Sequence, residues 1–203
     1  MDSDAVWRII DEQRVDLADL LDTLSPEQWA TRSLCAGWTV RDTAAHLTQS
    51  QAGPLRLLLA AARSGFRFDA MIDRMAREDS ASPAEITARL RSMVGSRRRP
   101  PMTTDVDPLT DVLVHGQDIC VPLRIDRPMP RAAAVASAER LWSMRFPMNP
   151  QRRLPGIRFV AEDAGFDVGG GREVRAPIRD IVMTLAGRPT AISELAAPAS
   201  DSA

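Results

Sequence analysis

The chain contains the stretch Leu109-Thr-Asp-Val-Leu-Val-His-Gly-Gln-Asp-Ile-Cys-Val121, which decides the fold. Apolar residues cover nearly every face of the helix that this stretch predicts, so we expect the helix to be buried. Its polar residues Asp111, His115 and Asp118 follow the spacing i, i+4, i+7 and share one face. A buried carboxylate is unfavourable unless it is paired or binds a cation. We therefore expect this polar face to meet a partner residue, a metal ion or a wet cavity.

The chain has two histidines, and the other one lies in Trp38-Thr-Val-Arg-Asp-Thr-Ala-Ala-His46-Leu. Thr39 and Asp42 have the spacing of a capping box, which predicts a helix start with His46 one turn beyond Asp42. Two imidazoles and one carboxylate are three protein ligands, the usual number for a catalytic zinc ion with an open fourth position. We therefore predict a divalent metal site, with zinc as the first choice, made by His46, Asp111 and His115. The spacing of Asp111 and His115 also fits a simple hydrogen-bonded pair.

The composition indicates an ordinary soluble globular protein. Hydrophobic residues make up 44% of the chain and charged residues 26%, with a formal net charge of −1, as is usual for such proteins. This charge balance gives no reason to expect nucleic acid or an anionic membrane as a partner. The start of the chain lacks the pattern of a signal peptide, and no apolar run is long enough to span a bilayer, so we expect a cytoplasmic protein. All the basic residues are arginine, which excludes chemistry based on a lysine.

The chain divides into a helical part and a small mixed part. Periodicity predicts helices over residues 4–24, from Thr39 to about Ser64, over 82–93, from Asp107 onwards and over 130–144. After Pro150, residues 156–161 alternate like a strand with 165–168 as a hairpin partner, followed by a further short strand and a helix over 177–186. We predict an α+β protein, mostly α, with a helical metal-binding domain over 1–149, a small α/β domain over 150–197 and a disordered tail over 198–203.

Together these motifs resemble those of the mycothiol-dependent maleylpyruvate isomerase family. The resemblance lies in the two histidine motifs, 38–47 and 114–119, and in the C-terminal stretches 156–169 and 174–189. It implies a DinB-like four-helix bundle with a divalent metal site, followed by the small C-terminal domain common in that family. His46 is similar to the family's first metal ligand and His115 to the last. The family usually has a glutamate four residues before the second histidine. This chain has the shorter Asp111, so the metal must lie closer to that helix or be reached through a water molecule.

The resemblance also implies roles for two further residues. Asp118 is similar to an aspartate of the family's His-x-x-Asp pattern, and its carboxylate would accept the second N–H of a metal-binding imidazole. Arg188 is similar to a C-terminal arginine, and we expect it to act in catalysis and cofactor binding by holding a carboxylate of the thiol cofactor or of the substrate. The alternative for Arg188 is an exposed arginine at a helix end.

The implied activity is that of a metal-dependent thiol transferase or isomerase. The metal holds the thiol of mycothiol or of another small thiol and lowers its pKa. The thiolate adds to a small electrophilic substrate such as maleylpyruvate. Rotation and elimination then complete an isomerisation, whereas release of the adduct completes a transfer. This chemistry requires no protein nucleophile, and two cysteines are too few for a disulfide framework, so we expect Cys35 and Cys120 to be packing residues.

Two other functions stay open at this point. A non-enzymatic bundle with a degenerate or structural metal site could bind a ligand or a partner chain, and the aspartate in place of the usual glutamate favours it. A zinc-bound water could also catalyse hydrolysis. The first alternative has the same fold as the enzyme, so the fold alone does not separate them.

Overall fold

The computed structural model describes residues 1–49, 62–65, 67–99 and 103–192. Apart from Met1, the chain forms two units, Asp2–Arg127 and Pro128 onwards. The sequence predicts a boundary after residue 149 instead. The difference arises because the helix Arg131–Ser143 packs against the helix Ile178–Leu185 of the second unit, and helical periodicity does not specify which elements a helix packs against. The predicted tail, 198–203, lies outside the described residues.

Helices form the N-terminal unit. In the described part of this unit they are α1 (Ser3–Asp22), α2 (Pro26–Trp29), α3 (Val40–Leu47), α4 (Phe68–Arg77), α5 (Pro83–Ser92) and α6 (Val106–Cys120). The bounds of α1 and α5 and the start of α6 agree closely with the predicted helices. The predicted extension of α3 to Ser64 falls largely on residues 50–61, which lie outside the described residues. Helix α4 lies in a region for which the sequence pattern predicts no definite element.

Capping boxes fix the starts of three of these helices. In each of them a hydroxyl accepts the third backbone N–H of the helix, and the side chain of that third residue accepts the N–H of the cap. The pairs are Ser25 with Gln28 at α2, Thr39 with Asp42 at α3, and Ser82 with Glu85 at α5. The predicted box at Thr39 is therefore present, and it sets where α3 begins and hence where His46 lies.

Helices α1, α3, α5 and α6 pack around one apolar core. Helix α1 contacts α5 and α6, and α3 contacts α4, α5 and α6. The core includes Leu17, Leu21, Val40, Ala44, Ile86, Leu90, Val112 and Ile119. Helix α6 is buried along most of its length, from Leu109 to Cys120 apart from the partly exposed Asp111. This confirms the prediction of a buried helix, and it places the polar face of α6 inside the unit.

The C-terminal unit combines helices with a small sheet. Its elements are α7 (Arg131–Ser143), α8 (Pro150–Arg153), β1 (Ile157–Ala161), β2 (Asp167–Gly169), β3 (Arg172–Ala176) and α9 (Ile178–Leu185). The strand order is β2-β1-β3, with β1 antiparallel to β2 and parallel to β3. Phe159 of β1 is fully buried together with Ile181 and Leu185 of α9. The turn between β2 and β3 uses Gly169 and Gly171 at φ +87° and +96°, where only glycine is unstrained.

The predicted fold class, α+β and mostly α with a small α/β part at the C-terminus, is confirmed. Among the described residues, no helix has both the length and the apolar character needed to cross a bilayer. The expected count of four helices in the bundle stays a prediction, because residues 50–61 lie outside the described residues.

Candidate metal centre

The three predicted metal ligands lie together in the N-terminal unit. His46 is near the end of α3, and Asp111 and His115 are one turn apart on α6. Nε2 of His46 lies 3.7 Å from Oδ1 of Asp111, and Nε2 of His115 lies 3.4 Å from the same oxygen. The two imidazole centroids are 4.9 Å apart, and the ligand atoms of all three residues lie within 4.8 Å of one another. The predicted convergence is thus present, while metal binding itself stays a prediction.

The distances between the three residues are compatible with a shared ion and are longer than direct hydrogen bonds. An N–H···O hydrogen bond spans about 2.7–3.2 Å, and both nitrogen–oxygen distances are longer than that. Ligand bonds of about 2.0–2.2 Å to a tetrahedral ion place neighbouring ligand atoms about 3.3–3.6 Å apart. The distance of 3.4 Å lies within this second range, and the distance of 3.7 Å is about 0.1 Å above it. The donor set of two imidazole nitrogens and one carboxylate is also one that zinc accepts.

The three residues differ in their access to solvent. The His46 and His115 side chains keep 16% and 11% of their accessible surface, whereas Asp111 keeps 37%. The histidine rings are therefore held inside the unit, and the carboxylate forms the accessible edge of the site. A catalytic ion needs one coordination position that a small molecule can reach, and Asp111 is the most exposed of the three candidate ligands.

Asp118 orients the imidazole of His115. Its Oδ2 lies 2.8 Å from Nδ1 of His115, and the Asp118 side chain is fully buried. A carboxylate accepts hydrogen bonds, so Nδ1 of His115 donates to Asp118, and Nε2, which faces Asp111, is the nitrogen that would lose its proton to bind a metal ion. This arrangement of carboxylate, imidazole and metal is typical of metal sites. The contact between Asp118 and His115 is present, and the role of Asp118 behind a metal ligand, which the resemblance implies, stays a prediction.

Cys35 contacts the same carboxylate, contrary to the expectation that it only fills space. Its Sγ lies 3.0 Å from Oδ2 of Asp118 and 3.5 Å from Nδ1 of His115. Cys35, His115 and Asp118 thus form a second cluster of possible metal ligands. The oxygen contacts of 2.8 and 3.0 Å are hydrogen-bond distances and are shorter than the spacing of ligands around one ion. We therefore interpret the second cluster as a set of hydrogen bonds that support His115, and not as a second metal site.

Cys120 fits its predicted role. It is fully buried in the core of the N-terminal unit. Burial raises the pKa of its thiol to about 11, because the apolar surroundings disfavour the thiolate. Its contacts are those of a packing residue.

Trp38 covers both imidazoles, a role that its sequence motif does not predict. Its ring is nearly parallel to that of His115, with centroids 6.2 Å apart, and is tilted against that of His46 at 5.2 Å. The indole N–H donates to Oδ1 of Asp73 at 2.9 Å, and Nε of Arg77 donates to the same oxygen. Helix α4 thereby fixes the tryptophan. The position of Trp38 directly before the helix cap Thr39 was the available signal.

The electrostatics of the site favour a bound cation. Burial opposes ionisation of Asp111, but His115 and His46 outweigh it and hold the pKa of this carboxyl below its usual range. Burial likewise opposes protonation of His115, yet Asp111, Asp118 and Cys35 raise its pKa well above the ordinary value. Two carboxylates in a mostly buried cluster therefore attract positive charge, either a proton or a metal ion.

Arg188 lies in the C-terminal unit, just after α9. Its Nη1 donates to the carbonyl of Ala186 at 2.7 Å, and its backbone N–H donates to the carbonyl of Met183 at 2.9 Å. Both contacts satisfy carbonyl groups at the C-terminal end of a helix, where a cation is favourable. These contacts fit the alternative of a helix-end arginine, and its role in binding a carboxylate stays a prediction.

A groove of about 760 Å³ lies elsewhere in the structure, along α1. It is lined by residues of α1 and by Val94, Gly95 and Arg97, and by none of the site residues. Its polar side chains form surface ion pairs such as Arg97 with Asp4 at 2.8 Å. The groove therefore adds nothing to the chemistry of the metal centre.

Comparison with known proteins identifies the family. Residues 10–108 match the model of the mycothiol maleylpyruvate isomerase N-terminal domain. The fold is similar to the crystal structure of the mycothiol-dependent maleylpyruvate isomerase, with a TM-score of 0.63 and 15% identity over 94% of this chain and 91% of that one. A histidine-to-alanine mutant of that enzyme matches with a TM-score of 0.62 and 15% identity, over 93% and 90% of the two chains. No curated protein matches the sequence. Residues 10–108 therefore belong to the family of the mycothiol maleylpyruvate isomerase N-terminal domain, and the chain as a whole has the fold of the mycothiol-dependent maleylpyruvate isomerase.

Proposed function

We propose that the protein is a metal-dependent thiol isomerase or transferase that acts on a small electrophilic substrate such as maleylpyruvate. Mycothiol is the proposed thiol, with other small thiols as the alternative. One observation carries the proposal: His46 and His115 place two imidazole nitrogens at ligand spacing from one oxygen of Asp111. Family membership supports the choice of thiol and substrate class.

The residues present fit a divalent ion, with zinc as the first choice. Nε2 of His46, a carboxylate oxygen of Asp111 and Nε2 of His115 would hold it. The family's usual glutamate is replaced by aspartate, which is one methylene shorter. The distances of 3.7 and 3.4 Å from Asp111 to the imidazoles support direct ligation by this shorter side chain, without a bridging water.

The proposed chemistry assigns different tasks to the ion and to the protein. When bound, the ion lowers the pKa of a thiol and so supplies a thiolate near neutral pH. The protein holds the imidazoles in place through Asp118 and Trp38 and keeps water from the buried side of the site. The more exposed side of the site, at Asp111, is where a thiol and its electrophile would meet.

Arg188 is proposed to bind a carboxylate of the thiol or of the substrate. The support is the resemblance of this residue to a C-terminal arginine of the family. A guanidinium offers two parallel N–H groups that match a carboxylate, and maleylpyruvate is a carboxylic acid. The variant Arg188→Lys keeps the charge but loses the planar fork, so its effect on KM tests this assignment.

The first experiment measures metal content and turnover together. Protein purified without added metal is analysed for zinc, and then assayed for conversion of maleylpyruvate and of other electrophiles with mycothiol and other small thiols. His46→Ala is the inactive control, and Asp4→Asn, a change at an exposed carboxylate, is the matched neutral control. Stoichiometric zinc with thiol-dependent turnover supports the enzyme. Zinc without turnover for any thiol favours the non-enzymatic bundle, and absence of zinc overturns the metal centre.

A further inference from the structure

We propose that the Cys35 thiol is a positioning residue for the metal centre, because it donates to the carboxylate that orients His115. The inference rests on the proposed function of this site. It assigns to Cys35 a role that acts through Asp118, without contact between the thiol and the ion or the substrate.

Two donors share one oxygen of Asp118. Sγ of Cys35 lies 3.0 Å and Nδ1 of His115 lies 2.8 Å from Oδ2. The Asp118 side chain is fully buried, so water does not readily replace a lost donor, and a buried carboxyl group that loses a hydrogen bond is less well stabilised. Loss of the thiol therefore removes one hydrogen bond from the Asp118 carboxylate. It also weakens the hold of this carboxylate on the His115 imidazole.

The backbone of the loop fixes the position of the thiol. The N–H of Leu34 donates to the carbonyl of Asp118 at 3.0 Å, which attaches the loop to α6 at the same residue that the thiol contacts. The N–H of Cys35 donates to Oγ of Ser33 at 3.2 Å, and its carbonyl accepts the N–H of Trp38 at 3.0 Å. Cys35 is thus held on both sides, so the thiol meets Asp118 without rearrangement.

The geometry argues against Cys35 as a fourth ligand of the same ion. The thiol lies beside Nδ1 of His115, whereas Nε2 faces Asp111. The two nitrogens of an imidazole point away from each other, so a group at Nδ1 is on the wrong side of the ring for an ion at Nε2. Cys35 therefore lies on the side of the His115 ring that faces away from the proposed ion.

The test compares zinc affinity, measured by chelator competition, in variants at positions 35 and 118. Cys35→Ala removes the donor, and we expect it to weaken zinc binding about tenfold. This is the lower end of the loss in metal affinity that is usual for residues that hydrogen-bond to a metal ligand. Cys35→Ser keeps a donor and should bind within about threefold of wild type. Cys120→Ala, at the other cysteine, should bind as wild type. Cys35→Val, which fills the space without a donor, gives the same test if the alanine variant does not fold.

A double mutant tests whether Cys35 acts through Asp118. Cys35→Ala in an Asp118→Ala background should cause little further loss, because the group through which the thiol acts is already gone. Losses that multiply would overturn the proposal, as would wild-type affinity of Cys35→Ala and Cys35→Val. In cobalt-substituted protein, a thiolate-to-cobalt charge-transfer band would also overturn it by making Cys35 a ligand. If wild type itself binds neither ion, the proposed metal centre fails, which is a different result from failure of the Cys35 role.

Discussion

Oδ1 of Asp111 lies 3.4 Å from Nε2 of His115, one helical turn away. This distance is too long for a good hydrogen bond and matches two ligands of one ion. We therefore expect His115→Ala and His46→Ala each to abolish stoichiometric zinc, since each leaves only two protein ligands. Elemental analysis of protein purified in parallel with wild type measures this. Equal zinc in all three proteins would rule out the site.

Asp118→Ala should weaken zinc binding about 10–100-fold without abolishing it. The carboxylate contacts Nδ1 of His115 and is not itself one of the three ligands. Asp118→Asn keeps an acceptor without the charge and should fall between wild type and the alanine variant. Chelator competition gives the affinities. A complete loss of zinc in both variants would instead indicate that Asp118 is a ligand.

Asp111→Glu tests whether the aspartate ligates directly. The oxygen already lies at ligand spacing from both imidazoles, so we expect the longer side chain to bind zinc no more tightly than wild type. Asp111→Asn, which loses the charge, should bind at least tenfold more weakly. Clearly tighter binding by the glutamate variant would show that Asp111 reaches the ion only through a water molecule.

Trp38→Ala should lower the free energy of unfolding by about 3–5 kcal/mol, the usual cost of deleting a large buried aromatic side chain. The ring is almost fully buried against His46 and His115. Trp38→Phe keeps an aromatic ring against the histidines but loses part of the ring volume and the N–H donated to Asp73, so it should cost less, about 1–2.5 kcal/mol. Urea denaturation of metal-free protein measures both values. Similar values for the two variants would contradict the packing role.

Stability should fall at alkaline pH because of Cys120. Burial raises the pKa of its thiol from the ordinary 9.0 to about 11, so the folded protein binds this proton more tightly than the unfolded chain does. The contribution of the Cys120 thiol to the free energy of unfolding is fully present below pH 9 and is lost as the pH rises towards 11. One pKa unit corresponds to about 1.4 kcal/mol, so the free energy of unfolding should fall by up to about 2 to 3 kcal/mol.

Denaturation of metal-free wild type and Cys120→Ala between pH 8 and 11 checks this prediction. The chain has neither lysine nor tyrosine, so few other groups titrate in this range. The pH slope should be smaller in the variant. An identical slope in both proteins would assign the effect to another group.

The sequence predicted those parts of the site that depend on local spacing. The cap at Thr39 and the one-turn separation of Asp111 and His115 are properties of single helices, and both agree with the structure. The contact of Cys35 with Asp118 joins a loop without periodicity to a distant helix. No local rule specifies such a contact, because tertiary packing creates it.

The same reasoning explains the differences in the fold. Helix α4 begins at Phe68 without a side-chain cap, so the start signal that marks α3 and α5 is missing there. Helix α7 was predicted as a helix, but its partner α9 lies far along the chain. Its assignment to the second unit depends on that pairing and not on its own residues.

The two imidazoles come from different helices, His46 from α3 and His115 from α6. An ion held by both would tie these helices together, and its free concentration would enter the folding equilibrium. At a hundredfold excess over Kd, a ligand specific for the folded state adds about 2.7 kcal/mol of stability. Cellular supply of the metal would then set how much of the protein survives proteolysis, as well as how much of it is active.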